Sequence, residues 1–155
     1  MFLEDRVADI KGNLPMLEKL CLCSFVQAYL GPMTVFETAP RVHTLDLNMM
    51  KPTPCLFPWH QLKCCHLRRF PIVQFPHILR QCTNLMHCTL EAPKPHVAVP
   101  GTLMTPLVHS QLKSMTLMAS GDHHLLNNLT LPALCDLEIN FNRGLCPHMT
   151  LKCFW

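Results

Sequence analysis

The sequence has little charge, little glycine and no uninterrupted apolar run of the length that a membrane span needs. Charged residues make up 15% of the chain, and its five glycines leave little room for a phosphate-binding loop. The longest stretches without Asp, Glu, Lys or Arg are residues 20–36 and 95–112, and proline interrupts both, so neither predicts a transmembrane helix. The net charge of +3 is modest, and the densest basic cluster is only Lys63, Arg68 and Arg69. We therefore expect neither a nucleic-acid partner nor a membrane partner.

The first residues also lack the pattern of a secretory signal. They carry Glu4, Asp5 and Asp9 where a signal peptide has basic charge followed by an apolar run. We therefore expect the ten cysteines to be free thiols in a reducing compartment, cytoplasmic or nuclear, and not a disulfide framework.

What the chain does have is apolar content and proline. Apolar residues make up 49% of its 155 residues, which is enough for one ordinary domain with a hydrophobic core. Fourteen prolines against five glycines indicate many short elements that proline interrupts, and not a few long helices.

A short apolar pattern, L-x-x-L-x-L with other apolar residues allowed, occurs six times. The first positions are separated by 25, 20, 23, 27 and 22 residues, all within the range typical of leucine-rich repeats. The triplets are Leu17, Leu20, Leu22; Val42, Leu45, Leu47; Leu62, Cys65, Leu67; Leu85, Cys88, Leu90; Leu112, Met115, Leu117; and Leu134, Leu137, Ile139.

Each triplet predicts a β-strand with one apolar and one polar side. Its last two positions are two residues apart, the period of a strand, so both side chains point to the same side, and the residues between them are mostly polar. One such unit cannot bury its apolar side, whereas stacked units share a continuous core. We predict strands near residues 19–23, 44–48, 64–68, 87–91, 114–118 and 136–140.

The segments between the predicted strands contain proline turns and weak helical signals. Pro15, Pro40 and Pro132 each lie two residues before a triplet, where proline ends an incoming helix. Helical spacing of apolar residues occurs within residues 70–84 and 3–10, and Asp122 is a candidate N-cap for a helix that begins at His123-His124.

We therefore predict an α/β fold in which residues 1–155 form a single leucine-rich-repeat domain of about six irregular repeats. The predicted solenoid is an irregular right-handed horseshoe fragment, with parallel β-strands on the concave face and short helices and loops on the convex face. The alternative is a compact α/β or all-α domain whose leucines fall at this spacing by chance.

The amino-acid sequences of the repeats also resemble those of one protein family. The segments GNLPMLEKLCL, FETAPRVHTLDL, FPWHQLKCCHL, ILRQCTNLMHCTL and LTLPALCDLEI are similar, in content and in order, to consecutive repeats of F-box/leucine-rich-repeat proteins from mushroom-forming fungi. The resemblance covers roughly residues 11–140. It implies a protein whose F-box docks on the Skp adaptor of a cullin ubiquitin ligase and whose repeats hold the protein to be ubiquitinated.

The sequence departs from that family in two ways. No F-box-like segment precedes the first repeat, so we expect the F-box to be missing, and a Skp-type adaptor is a partner only if an F-box lies upstream. The asparagine ladder of regular repeats is also lost, because its positions hold Phe25, Met50, Phe70, Pro93, Ser120 and, as the one match, Asn142. A uniform curvature is therefore not expected.

We predict no catalytic, cofactor-binding or metal-ligating residue. The chain has no C-x-x-C pair, which structural zinc sites normally use, and no G-x-S-x-G or other nucleophile motif. Cys65 and Cys88 occupy apolar triplet positions, where cysteine acts as a small hydrophobic residue. Cys21 and Cys23 are separated by one residue only.

The remaining candidate site is the polar row on the strands. Concave faces of solenoids are common binding surfaces, although such a row is equally typical of a merely solvated sheet. The candidate protein-binding residues are Lys19, Asp46, His66, Arg68, His87, Glu91, Asp136 and Glu138.

The function predicted from the sequence is a non-catalytic scaffold that binds an as yet unidentified protein. Two alternatives stay open. One is a truncated gene product without an independent function, and the other is a Cys/His module that binds metal or nucleic acid.

Overall fold

Six of the strands in the computed structural model begin at or next to the residues where the triplets place them. The structure describes residues 14–24, 36–49, 57–70, 74–92, 106–119, 124–141 and 149–152. Nine strands lie within these ranges: β1 (Lys19–Ser24), β2 (Thr44–Met49), β3 (Cys64–Arg68), β4 (His87–Glu91), β5 (Leu107–Val108), β6 (Ser114–Ala119), β7 (Leu129–Thr130), β8 (Asp136–Phe141) and β9 (Met149–Lys152).

The prediction of a parallel sheet is confirmed. Strands β1, β2, β3, β4, β6 and β8 are neighbours in chain order, and every pair among them is parallel. Equivalent triplet positions are paired across the whole sheet. The two inner rows are Leu20, Leu45, Cys65, Cys88, Met115, Leu137 and Leu22, Leu47, Leu67, Leu90, Leu117, Ile139.

A turn of the same kind precedes most of the strands. The N–H of the first triplet residue donates a hydrogen bond of 3.1–3.3 Å to the carbonyl three residues earlier. Such a turn reverses the chain just before the strand, and at Pro15, Pro40 and Pro132 a proline lies inside it. The donor–acceptor pairs are Leu17–Leu14, Val42–Ala39, Leu62–Trp59, Leu85–Cys82 and Leu134–Leu131.

Successive units are joined by a repeated main-chain bridge where the strands begin. One carbonyl accepts the N–H groups of two consecutive residues of the next unit, at 2.8–3.2 Å. For example, the carbonyl of Lys63 accepts hydrogen bonds from the N–H groups of both Met86 and His87. The five bridging carbonyls belong to Glu18, His43, Lys63, Met86 and Lys113.

Side chains reinforce three consecutive junctions by bonding to a carbonyl in the turn of the unit before. Gln61 donates to the carbonyl of Ala39 at 2.6 Å, and Asn84 donates to the carbonyl of His60 at 2.7 Å. At the next junction the Nε2 atom of His109 lies 2.8 Å from the carbonyl of Cys82. Because a carbonyl accepts only, this nitrogen carries the proton.

The core lies on the apolar side of the sheet. Leu45, Leu62, Leu67, Leu90 and Leu112 have no exposed surface, and burying such side chains is the main stabilising contribution to a fold of this size. At the first units the core is extended by Phe36, Phe57 and Trp59, with Phe36 and Phe57 stacked at 5.9 Å and Phe57 edge-on to Trp59 at 5.2 Å.

Helical structure is short in the described ranges. An α-helix spans Phe75–Gln81, within the predicted helical segment 70–84, and Pro76 in its first turn loses no intrahelical hydrogen bond. Its buried residues Phe75, Ile78 and Leu79 pack into the core. A 3₁₀ turn spans Trp59–Gln61, and a one-turn helix spans His124–Asn127. None of these helices is long enough to cross a membrane.

Four features go beyond the sequence prediction. Strands β5 and β7 form a separate two-stranded parallel ladder, and β9 pairs antiparallel with β8 at the end of the main sheet. Arg69 has a φ of 53°, which lies in the left-handed region. The next residue, Phe70, is buried, and its N–H donates a hydrogen bond to the carbonyl of Glu91. His109 is buried, and within the described structure its Nδ1 atom has no hydrogen-bond partner.

The expected helix in residues 3–10 and the N-cap at Asp122 lie outside the described residues.

Candidate functional site

The outward sides of the six parallel strands form one continuous surface, called here the polar face. It consists of three rows of side chains that run across the strands, and none of these side chains is buried. In the order β1 to β8, the rows are Lys19, Thr44, Cys64, His87, Ser114, Asp136; then Cys21, Asp46, His66, Thr89, Thr116, Glu138; then Cys23, Asn48, Arg68, Glu91, Met118, Asn140.

All eight residues predicted from the sequence lie on the polar face. Lys19 and Asp46 lie on β1 and β2, and Asp136 and Glu138 lie together on β8. The other four are on the central strands, His66 and Arg68 on β3 and His87 and Glu91 on β4. The parallel register brings the central four onto two adjacent strands, with Arg68 directly beside Glu91.

An ion pair crosses the first half of the face. The Arg68 guanidinium on β3 donates a hydrogen bond of 3.1 Å to the Asp46 carboxylate on β2. The Asp46 side chain is 14% exposed and that of Arg68 is 52% exposed. Because the Arg68 end of the pair is open to water, the pair contributes only about 1 kcal/mol to folding, and its main effect is to fix the position of both groups on the surface.

The second half of the face presents a carboxylate that is held in place. Glu138 on β8 accepts a hydrogen bond from the Thr116 hydroxyl at 3.3 Å and another from the Asn140 amide at 3.1 Å. Asp136 lies on the same strand, is exposed, and has Lys152 of β9 as its register partner. Glu138 is therefore oriented before any ligand arrives, which lowers the entropic cost of an interaction there.

The two halves of the face differ in charge. On β1 to β4 the cations Lys19 and Arg68 are balanced by Asp46 and Glu91, whereas β8 carries the two carboxylates Asp136 and Glu138. Three strand spacings separate β3 from β8, which is roughly 14 Å at about 4.8 Å for each spacing. The excess of negative charge on the polar face therefore lies at β8.

Three thiols on the polar face were not among the predicted site residues. Cys21 and Cys23 are exposed on β1, and Cys64 is half-buried on β3. Desolvation by neighbouring protein atoms raises the pKa of the Cys21 thiol, and the nearby Asp46 carboxylate and the Cys23 thiol raise it further, while Arg68 lowers it. The strand alternation in the sequence already implied this outward position, because Leu20 and Leu22 point inward.

The other described cysteines include three that belong to the core. Burial raises the pKa of the Cys82 thiol to about 12 and raises the pKa values of Cys65 and Cys88 strongly, with a further contribution from neighbouring thiols. Such thiols stay protonated and act as small hydrophobic groups. Within the described ranges there is no group of three or more His, Cys, Asp or Glu side chains placed to hold a metal ion.

No protein family, no curated protein and no solved structure matches this chain.

Proposed function

We propose that this chain is a non-catalytic protein-binding scaffold, a leucine-rich-repeat solenoid whose polar face holds a protein ligand. The observation that supports the proposal is the in-register stacking of six parallel strands in chain order, with one apolar side and one unburied side. Eighteen side chains line the unburied side, in three rows across six strands. A surface of this kind suits a folded or extended polypeptide better than a small molecule, because it is broad and open.

The repeated junctions favour a solenoid over a compact domain. Each unit is tied to the unit before by the same carbonyl bridge, and contacts between sequential neighbours are what a solenoid requires. In this proposal the strands lie on the concave side of an irregular right-handed horseshoe. The helix Phe75–Gln81 and the loops then lie on its convex side.

We further propose, from the resemblance of the repeats, that the ligand is held as a substrate is held by an F-box ubiquitin-ligase receptor. Binding to a Skp-type adaptor is assigned to no residue of this chain. It would belong to an F-box elsewhere in the protein. The polar face alone would then select the protein to be ubiquitinated.

Site-specific photo-crosslinking tests the proposal. A photo-reactive amino acid is placed at Thr89, in the middle row of the polar face, and in a matched protein at His77, which is exposed on the helix. The proteins crosslinked in cells are identified by mass spectrometry. We expect a specific partner from Thr89 and none from His77.

The affinity of the purified partner then decides the role of the face. We expect Arg68→Glu and Glu138→Lys each to weaken binding about tenfold, the effect of losing roughly 1.4 kcal/mol. Gln81→Glu on the helix serves as the control and should leave the Kd unchanged. Equal crosslinking from Thr89 and His77, or an unchanged Kd in both charge reversals while circular dichroism shows a folded chain, would contradict the proposal.

A further inference from the structure

Two exposed thiols lie side by side on strand β1. Cys21 and Cys23 are two residues apart, so their side chains emerge on the same side of the strand, at positions about 6.6 Å apart along it. The Cys23 thiol raises the pKa of the Cys21 thiol, as expected for two neighbouring side chains on one side of a strand. Both side chains reach solvent.

The position of β1 leaves this pair accessible. β1 is the first strand of the sheet, and β2 is its partner on one side. Asp46 is the register neighbour of Cys21, and Asn48 is the register neighbour of Cys23. Within the described ranges the thiols are not part of a group of three or more metal-binding side chains.

We propose that Cys21 and Cys23 form a two-coordinate binding site for monovalent copper. Thiolate sulfur is a soft ligand, and soft ligands select Cu(I) among the metal ions that proteins bind. Structural zinc, by contrast, takes four ligands in a tetrahedral arrangement, which two thiols on one strand do not supply. The proposed site does not depend on the protein-binding role of the polar face.

The binding reaction involves no change of oxidation state. Each thiol loses its proton to water, each sulfur forms one bond to the Cu⁺ ion, and the resulting bis-thiolate complex carries one negative charge. Because two protons are released, the apparent affinity rises with pH until both thiols are ionised in the free protein.

Charged neighbours set the strength of the site. Lys19 lies on the same side of β1, two residues before Cys21, and Arg68 is held near Cys21 through its bond with Asp46. These two cations stabilise the anionic complex, whereas the Asp46 carboxylate opposes it. Removal of one of these charges therefore changes copper affinity in a known direction.

A competition titration tests the proposal. The reduced 155-residue chain is titrated with Cu(I) in the absence of oxygen against the chromogenic chelator bicinchoninate, so that both stoichiometry and affinity are measured. We expect Cys21→Ser and Cys23→Ser each to lose one equivalent of tightly bound copper. Cys64→Ser, on the same face but two strands away, and Cys135→Ser, exposed near β8, should keep it.

Two further measurements separate a specific site from general thiol binding. X-ray absorption of the copper-loaded wild-type chain should show two sulfur ligands and no nitrogen ligand on the copper ion. The Cys21→Ser protein should lack this copper ion. Asp46→Asn should tighten binding several-fold, and Lys19→Gln should weaken it. Retention of the full copper stoichiometry and affinity in Cys21→Ser or Cys23→Ser, or an equal loss in the two control variants, would overturn the proposal.

Discussion

Arg68 and Asp46 are joined by a hydrogen bond of 3.1 Å and act with opposite sign on one thiol, that of Cys21. The Asp46 carboxylate raises the pKa of Cys21 by disfavouring a second negative charge beside it, and the Arg68 guanidinium lowers this pKa. Desolvation of the thiol by the neighbouring protein atoms is the largest of the effects that raise it. The two charges of the ion pair therefore adjust, in opposite directions, how much of Cys21 is thiolate at a given pH.

Substitutions in this pair should shift the reactivity of Cys21 in opposite directions. In Asp46→Asn the pKa of Cys21 falls, so alkylation of the thiol reaches its half-maximal rate at a lower pH. In Arg68→Gln the pKa rises, and the profile moves to a higher pH. Alkylation by iodoacetamide is followed residue by residue with mass spectrometry, and Cys135 is the control whose profile should not move. Shifts in the same direction in both variants would exclude this account.

The inner rows of the sheet predict a large cost for truncating a central side chain. Leu45 on β2 has no exposed surface and lies between Leu20 and Cys65 in its row. Leu45→Ala should lower the free energy of unfolding by about 2–5 kcal/mol, because apolar burial is lost and a cavity remains. Urea denaturation measures the change. Val108→Ala, at a side chain that is 66% exposed, should change it by less than about 0.5 kcal/mol.

Backbone strain at Arg69 predicts a stabilising substitution. Its φ of 53° places a residue with a Cβ atom in the left-handed region, which costs about 1–2 kcal/mol relative to glycine. Arg69→Gly should therefore stabilise the fold by up to about 1 kcal/mol, after the greater freedom of glycine in the unfolded chain is subtracted. The adjacent Arg68→Gly, inside β3, should destabilise it. The thermal unfolding midpoints of the two variants and the wild-type chain measure these effects. A midpoint for Arg69→Gly below that of the wild-type chain would contradict the proposed backbone strain at this position.

Buried thiols predict a loss of stability at alkaline pH. The pKa of Cys82 is about 12 in the folded chain, whereas an unfolded cysteine titrates near 8.5. The stabilising contribution of this thiol is therefore fully present below about pH 8.5 and is lost as the pH rises towards 12, because only the unfolded state releases the proton. Each such thiol adds at most about 1.4 kcal/mol per pH unit to the decline in the free energy of unfolding.

Chemical denaturation at several pH values between 8 and 11 checks this prediction. The free energy of unfolding should fall with pH in the wild-type chain and fall less steeply in Cys82→Ala. Cys135→Ala, at an exposed thiol, should keep the wild-type slope. If the free energy of unfolding falls equally steeply with pH in all three proteins, the pKa of Cys82 is the same in the folded and unfolded states.

Much of the sheet follows from the sequence, because strand alternation is a local property of the chain. The spacing of Leu45 and Leu47 already implied that Asp46 points to the opposite side, and the structure places it there. The repetition of the triplets implied that neighbouring strands are parallel. Even Cys65 and Cys88 were assigned correctly to the core, since position in the triplet mattered more than residue type.

The features that escaped prediction depend on partners distant in the chain. Leu107 and Val108 form a strand of two residues, which is too short for any periodicity to show. The burial of His109 depends on the carbonyl of Cys82, 27 residues earlier, and a main-chain acceptor leaves no trace in the sequence. The influence of the Cys23 thiol on the pKa of Cys21 likewise depends on side-chain rotamers that spacing alone does not determine.

The identical carbonyl bridges at Glu18, His43, Lys63, Met86 and Lys113 make the junctions between units interchangeable. Removal or duplication of one whole period gives a bridging carbonyl an equivalent pair of N–H donors, so the main-chain bridge is kept, whereas the side-chain bonds of Gln61, Asn84 and His109 belong to single junctions. A chain built in this way can change length by gene duplication or excision of complete periods. The triplets are separated by 20 to 27 residues while equivalent positions stay paired, so the segments between strands also accommodate gain or loss of a few residues.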